Sequence, residues 1–203
     1  SSEEIIPLLA MKNGWMRSTA RKVLILRNDK STVPLLKKAF SKSNNTQEKI
    51  EILWTLEGLQ ALDKDFILTQ MTSSDERLAV HAMRASEPWI KEANKDILAS
   101  FKNIINNSQS KSILTQAFLS LKDSSAKETL QEFLAKHGQN DALKHHLAQW
   151  RKGKEAKRKQ QEQLDALAGK GPIFQKIMIA GDKHYKSLCF ACHGANGEGS
   201  PMA

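Results

Sequence analysis

Apolar residues recur at helical spacing along most of the chain: Met16, Ala20, Val23 and Leu24; Val33, Leu36, Ala39 and Phe40; Ile97, Phe101, Ile104 and Ile105; Ile113, Ala117 and Leu121; Leu143, Leu147 and Trp150. Steps of three and four place each set on one stripe of a helix, with the polar residues left facing water. Short polar breaks separate the stripes: "NDKS" at 28–31, "SKSNN" at 41–45, "TSSD" at 72–75 and "HGQN" at 137–140. Breaks of this length join antiparallel helical neighbours. Ser73 with Glu76, and Ser125 with Glu128, have capping-box spacing, which predicts helix starts at both places.

Composition agrees with the pattern. Leu, Ile, Ala, Lys, Gln and Glu are plentiful, while 10 Gly, 5 Pro and a single Tyr leave little material for a sandwich or barrel. An all-α protein with almost no sheet is expected. The 203 residues suffice for a sizeable core, divided into two unequal parts. No apolar run approaches the roughly 20 residues that span a bilayer, so no membrane span is expected. No basic start followed by an apolar stretch and cleavage site is present either.

Four segments align with one another: "WMRSTARKVL" from Trp15, "EKIEILWTLEGL" from Glu48, "ERLAVHAMRAS" from Glu76 and "KSILTQAFLSL" from Lys111. The alignment puts Met16, Ile50, Leu78 and Ile113 in register at offsets of about 28 to 35 residues, a helical-repeat period. Stacked helix pairs arise at such periods because neither helix can bury its apolar face alone. "WMRSTARKVL" and "DERLAVHAMRAS" resemble HEAT-like repeats, with arginines and small Ala residues where such helices pack. The resemblance covers residues 1–150 and implies an α-solenoid, with a generic helical bundle as the alternative. Trp15, Trp54, Trp89 and Trp150 are expected in the core, and His81 as a packed or capped histidine. His145 and His146 are adjacent, so they leave different faces of a helix and form no i, i+4 metal pair.

Residues 151–171, "RKGKEAKRKQQEQLDALAGKG", lose large apolar side chains and turn charged. They read as a linker, either a semi-rigid helical arm or a disordered tether. Much of the formal net charge of +9 sits here, without interleaved aromatics for base stacking. That distribution points to a solvated surface rather than to nucleic acid, and leaves DNA binding along a basic groove as a weaker third reading.

The two cysteines, Cys189 and Cys192, are followed by His193 in "LCFACHG". Cys-x-x-Cys-His is the attachment pattern of a c-type haem. Two thioethers reach one edge of the macrocycle, and the adjacent imidazole becomes the proximal iron ligand. Cys189 and Cys192 are therefore the candidate covalent attachment points for haem c, and His193 the candidate iron ligand. Three other readings compete. A thioredoxin-like pair needs a βαβ context, which is missing; a zinc site needs a fourth ligand, for which only His184 is near; and two reduced cysteines explain none of the flanking glycines.

"AGDKHYKSLCFACHGANGEG" resembles the opening of class I cytochrome c domains. The likeness rests on Gly181, Tyr185, the Cys-x-x-Cys-His motif, Gly194 and the glycines Gly197 and Gly199. It covers about the last 30 residues and implies that "PIFQKIMIAGDKHYKSL" forms the first helix of a domain at 172–203. The family's distal ligand is usually a Met well downstream. Met202 lies only nine residues after His193, too close to reach the opposite haem face, and Met178 precedes the motif and is expected in a core. The start at "SSEEII" and the stop soon after the motif suggest a segment of a longer polypeptide.

Repeats, charged arm and cytochrome opening, in that order, resemble the C-terminal region of large exported bacterial propeller dehydrogenases. The resemblance implies an electron-transfer module that takes electrons from a dehydrogenase domain or subunit and passes them to a downstream carrier. It also implies a periplasmic or cell-surface location. No acid, base or nucleophile constellation is evident in this chain. The alternative from another class is a non-redox protein-binding scaffold with an unfilled haem motif.

Overall fold

The structure, a computed structural model, describes residues 1–166 and 171–189. They are all-α: eleven α-helices with short 3₁₀ turns, and no strand among the described residues. The chain divides into two units, Ser1–His146 and Leu147–Ala203.

The first unit opens with a 3₁₀ turn, Ile6–Ala10, followed by α1 (Gly14–Arg27), α2 (Val33–Lys42), α3 (Thr46–Gly58), α4 (Lys64–Met71) and α5 (Glu76–Ala85). The short α6 (Glu87–Lys91) leads to α7 (Lys95–Asn107), α8 (Lys111–Leu121) and α9 (Lys127–His137). Two rows result. Helix α1 packs on α3, α3 on α5 and α5 on α8, while α4 packs on α7 and α7 on α9; α2–α3, α4–α5, α7–α8 and α8–α9 contacts join the rows. The four sequence segments aligned above are α1, α3, α5 and α8, the members of the first row. Ile50, Leu78 and Ile113 are buried there, and Met16 is half-buried.

Helix α3 shows why a middle helix reads differently from an end one. Ile50, Ile52, Leu53, Leu56 and the adjoining Leu59 are all buried, so the helix is apolar around most of its girth, as expected for one covered on several sides. At its end Gly58 lies against Ile25 of α1, so close that a Cβ would fall 2.5 Å from the Ile25 side chain.

Several side-chain hydrogen bonds between helices of the first unit span 26 to 36 positions, from Lys37–Asp63 to Ser112–Glu76. Arg21–Glu51, Trp54–His81, Lys102–Glu132 and His137 with the Ile105 carbonyl fall inside that window. Apart from Lys37–Asp63, each joins neighbouring helices of one row.

Helix starts follow local chemistry, with a correction to the expected capping boxes. Asn13, Asn45, Asp63, Asp75, Asn94 and Ser110 cap α1, α3, α4, α5, α7 and α8, each side-chain oxygen accepting from backbone N–H groups that have no partner inside the helix. The cap of α5 is thus Asp75, not Ser73, whose hydroxyl instead accepts from the Asp75 N–H. The Thr46 hydroxyl, with help from Arg77 and two backbone N–H groups, holds the Asp75 carboxyl down at about 2. Ser125 does not cap α9 either. Its hydroxyl donates to the Ile90 and Lys91 carbonyls at the end of α6, and α9 begins behind Ala126 with no side-chain cap.

The tryptophans also depart from expectation. None is fully buried: Trp15 is 70% exposed, and Trp54, Trp89 and Trp150 are half-buried. Phe101, Phe118 and Phe133 fill the core in their place. An indole carries an N–H that must find a partner when buried, whereas phenyl rings pack without that demand.

A 3₁₀ turn, Asp141–Leu143, leads into α10 (Lys144–Ala166), which runs through the charged stretch. Residues 151–163 are exposed on all sides, as suits a helix polar around its circumference. Glu155–Lys159 and Arg158–Glu162 pair at i, i+4, and the Lys154 ammonium lies 5.7 Å from the Trp150 ring centroid. No helix among the described residues is long and apolar enough to cross a membrane.

Candidate functional site

The segment leading to the cysteine motif is α11 (Pro172–His184), started by a proline at its first position, where a missing N–H costs nothing. Beyond it the backbone widens into a π-helical turn, Tyr185–Cys189, of a kind often found at functional sites. Ser187 donates to the His184 carbonyl at 3.1 Å, and Lys186 pairs with Asp182 at 2.8 Å. Cys189 ends this turn as a half-buried free thiol. Cys192, His193, Gly194, Gly197, Gly199 and Met202 lie outside the described residues. Among the described residues no group of three or more His, Cys, Asp or Glu side chains is placed to hold a metal ion.

Helix α11 buries nothing among the described residues. Ile173, Phe174, Ile177 and Met178 are 76, 43, 63 and 47% exposed. Met178 is thus not packed in a core among the described residues. It lines an apolar recess of about 270 Å³ with Gln163, Ala166, Ile179 and Asp182.

A second arrangement, which sequence reasoning missed, lies in the first unit. Glu51 on α3 is buried, with its side chain 8% exposed, and is met by Arg21 at 2.9 Å, Arg17 at 3.5 Å and the Gln47 amide at 3.2 Å. Arg17 also ties down the chain entering α1 by donating to the Met11 and Lys12 carbonyls at 2.7 and 2.8 Å, while its Nε makes no hydrogen bond. One turn further along α3, the Trp54 indole N–H donates to His81 Nδ1 on α5 at 3.0 Å. The Arg84 guanidinium rests over the same indole, 5.7 Å from its centroid, within the range of a cation–π contact. His81 is thus a packed histidine, as expected, but one placed at the wall of a cleft. The only hint in the sequence is that Trp54 and His81 stand 27 positions apart, near the repeat offset.

Burial, then the positive charge of Arg84 and more weakly of Arg21, push His81 below its ordinary value of 6.5, while Glu51 opposes them. The unfolded chain therefore takes up this proton more readily than the folded one. The neutral ring's contribution to stability is present above 6.5 and is lost as pH falls through the lower folded value. Protonation also removes the lone pair that accepts the indole N–H. Subtracting the emission of Trp54→Phe from that of the native chain should show Trp54 fluorescence titrating below 6.5. The same subtraction in a His81→Gln background should be flat.

Comparison with protein families, with curated sequences and with solved structures finds no match to this chain in any of the three.

Proposed function

We propose that this chain is an electron-transfer module, in which HEAT-like repeats form a solenoid scaffold and a charged helical arm leads to the first part of a class I cytochrome c domain. Cys189 and Cys192 attach haem c covalently and His193 is the proximal iron ligand. When bound, the haem supplies an iron that alternates between Fe(III) and Fe(II). An associated dehydrogenase domain or subunit is the electron donor, a downstream carrier is the acceptor, and the setting is periplasmic or cell-surface.

The observation that carries this reading is the run from Gly181 and Tyr185 to "CFACHG", with a helix leading into it and a free, partly accessible Cys189 on its final turn. The apolar face that α11 leaves exposed supports its role as one element of a larger haem-enclosing core. Side-chain hydrogen bonds that join neighbouring helices, such as Lys37–Asp63 and Ser112–Glu76, support the solenoid over a bundle, since a solenoid repeat touches its neighbours.

The test is intact mass together with a reduced pyridine haemochrome spectrum, on protein made in a host competent for cytochrome c maturation. A haem-sized mass increase and a c-type spectrum are expected, both lost in Cys189→Ala/Cys192→Ala. A bare polypeptide mass under those conditions overturns the redox reading and leaves a protein-binding scaffold with an unfilled motif.

A further inference from the structure

Helices α1, α3 and α5 together build a cleft that the haem reading does not use. Arg21 and Ile25 come from α1, Trp54 and Glu57 from α3, and His81 and Arg84 from α5; the space they line is about 430 Å³. Its parts are held in place. Trp54 is fixed by its hydrogen bond to His81 and by the guanidinium over its face. Ile25 is backed by Gly58. The charge of Arg21 is already answered by Glu51.

Arg84 differs from Arg21. It is exposed, and among the described residues no carboxylate lies within ion-pair distance of it. His81 adds a second donor, because a neutral ring that accepts at Nδ1 carries its proton on Nε2. Two N–H donors thus stand one helical turn apart on α5, beside a flat apolar surface made by Trp54 and Ile25.

We propose that this cleft docks an acidic peptide segment of a partner protein. An aspartate or glutamate carboxylate pairs with Arg84 and accepts from His81 Nε2, while a neighbouring aliphatic side chain packs on Trp54 and Ile25. Glu57, exposed at the same cleft, repels a second carboxylate, so the preferred segment alternates acidic and apolar residues rather than carrying an acidic run. A small free anion fits less well. Small-ligand sites bury most of their ligand, whereas this cleft is open, and an extended peptide crossing three helices in turn gains contact at each. A phosphate chain would meet Glu57 directly.

The inference stands apart from the haem reading, and its test needs no haem. The full chain, labelled with ¹⁵N, is titrated with a short blocked peptide of alternating glutamate and leucine, and with the same peptide in glutamine. Saturable shifts of the Trp54 Nε1–H and Arg84 Nε–H resonances are expected with the glutamate peptide alone. Arg84→Gln weakens binding by at least about tenfold, the loss of a charge-assisted pair, while lowering the melting temperature only by the small amount that the cation–π contact with Trp54 contributes. Arg158→Gln on the arm leaves affinity unchanged. If Arg84→Gln unfolds the chain, Glu57→Gln decides instead, by tightening the binding of an all-glutamate peptide several-fold. The proposal is overturned by equal binding of the glutamine peptide, by no saturable binding, by indifference to these cleft variants, or by an oligothymidine displacing the peptide from the same resonances.

Discussion

Phe118→Ala lowers the unfolding free energy by about 3 to 5 kcal/mol, the range found when a buried phenyl ring is deleted and its cavity collapses only in part. Phe118 is fully buried on α8, and its ring stacks on Phe133 of α9 at 5.8 Å between centroids, 28° from parallel. The loss therefore falls where the two rows meet. Urea unfolding followed by far-ultraviolet circular dichroism measures it. Phe118→Leu, which keeps most of the volume, should lose less than half as much. A cost near zero for Phe118→Ala would mean that this ring is not packed as described.

Glu51→Ala costs about 2 to 4 kcal/mol, somewhat below the usual figure for breaking a buried ion pair because Arg21 keeps access to water. The side chains of Arg17 and Arg21 are 18 and 31% exposed against 8% for Glu51, so removing the carboxylate strands the more buried cation first. The sign of the effect depends on what remains. Replacing all three residues together with apolar side chains of similar length should recover most of the loss, because no uncompensated charge is left in the interior. Melting of the single and the triple variants at neutral pH separates the two outcomes. A triple variant as unstable as Glu51→Ala would show that the cluster contributes through its shape rather than its charge balance.

Much of the helical character of the first unit was legible because its information is local. Ile50, Leu78 and Ile113 are buried on α3, α5 and α8 and Met16 is half-buried on α1, and a stripe of apolar residues suffices to say which face turns inward. Helix α4 is only eight residues long and gave too short a pattern to stand out. Caps were misread at α5 and α9 because Ser, Asp and Ala at neighbouring positions offer several starts, and the choice between them is made by what else the hydroxyl can reach. For Ser125 that is the end of α6, 34 and 35 positions away. The cleft was invisible for the same reason. Trp54, His81 and Arg84 become neighbours only once α3 lies on α5, and a tryptophan in an apolar stretch reads as core until its N–H is seen to have a partner. The proposed haem attachment rests on Cys189, Cys192 and His193 lying within five positions of sequence, a pattern that owes nothing to tertiary packing.

The reach of the inter-helix hydrogen bonds, never much beyond the next unit in the cases described, has a mechanical consequence. In a solenoid held by junctions of this kind, a pull applied along it is carried in series by each junction and shared among them, as in a coil spring. Small strains at successive junctions add, and the array yields by degrees where a cross-braced core would hold rigid and then fail at once. A partner seated across α1, α3 and α5 would stiffen two of those junctions.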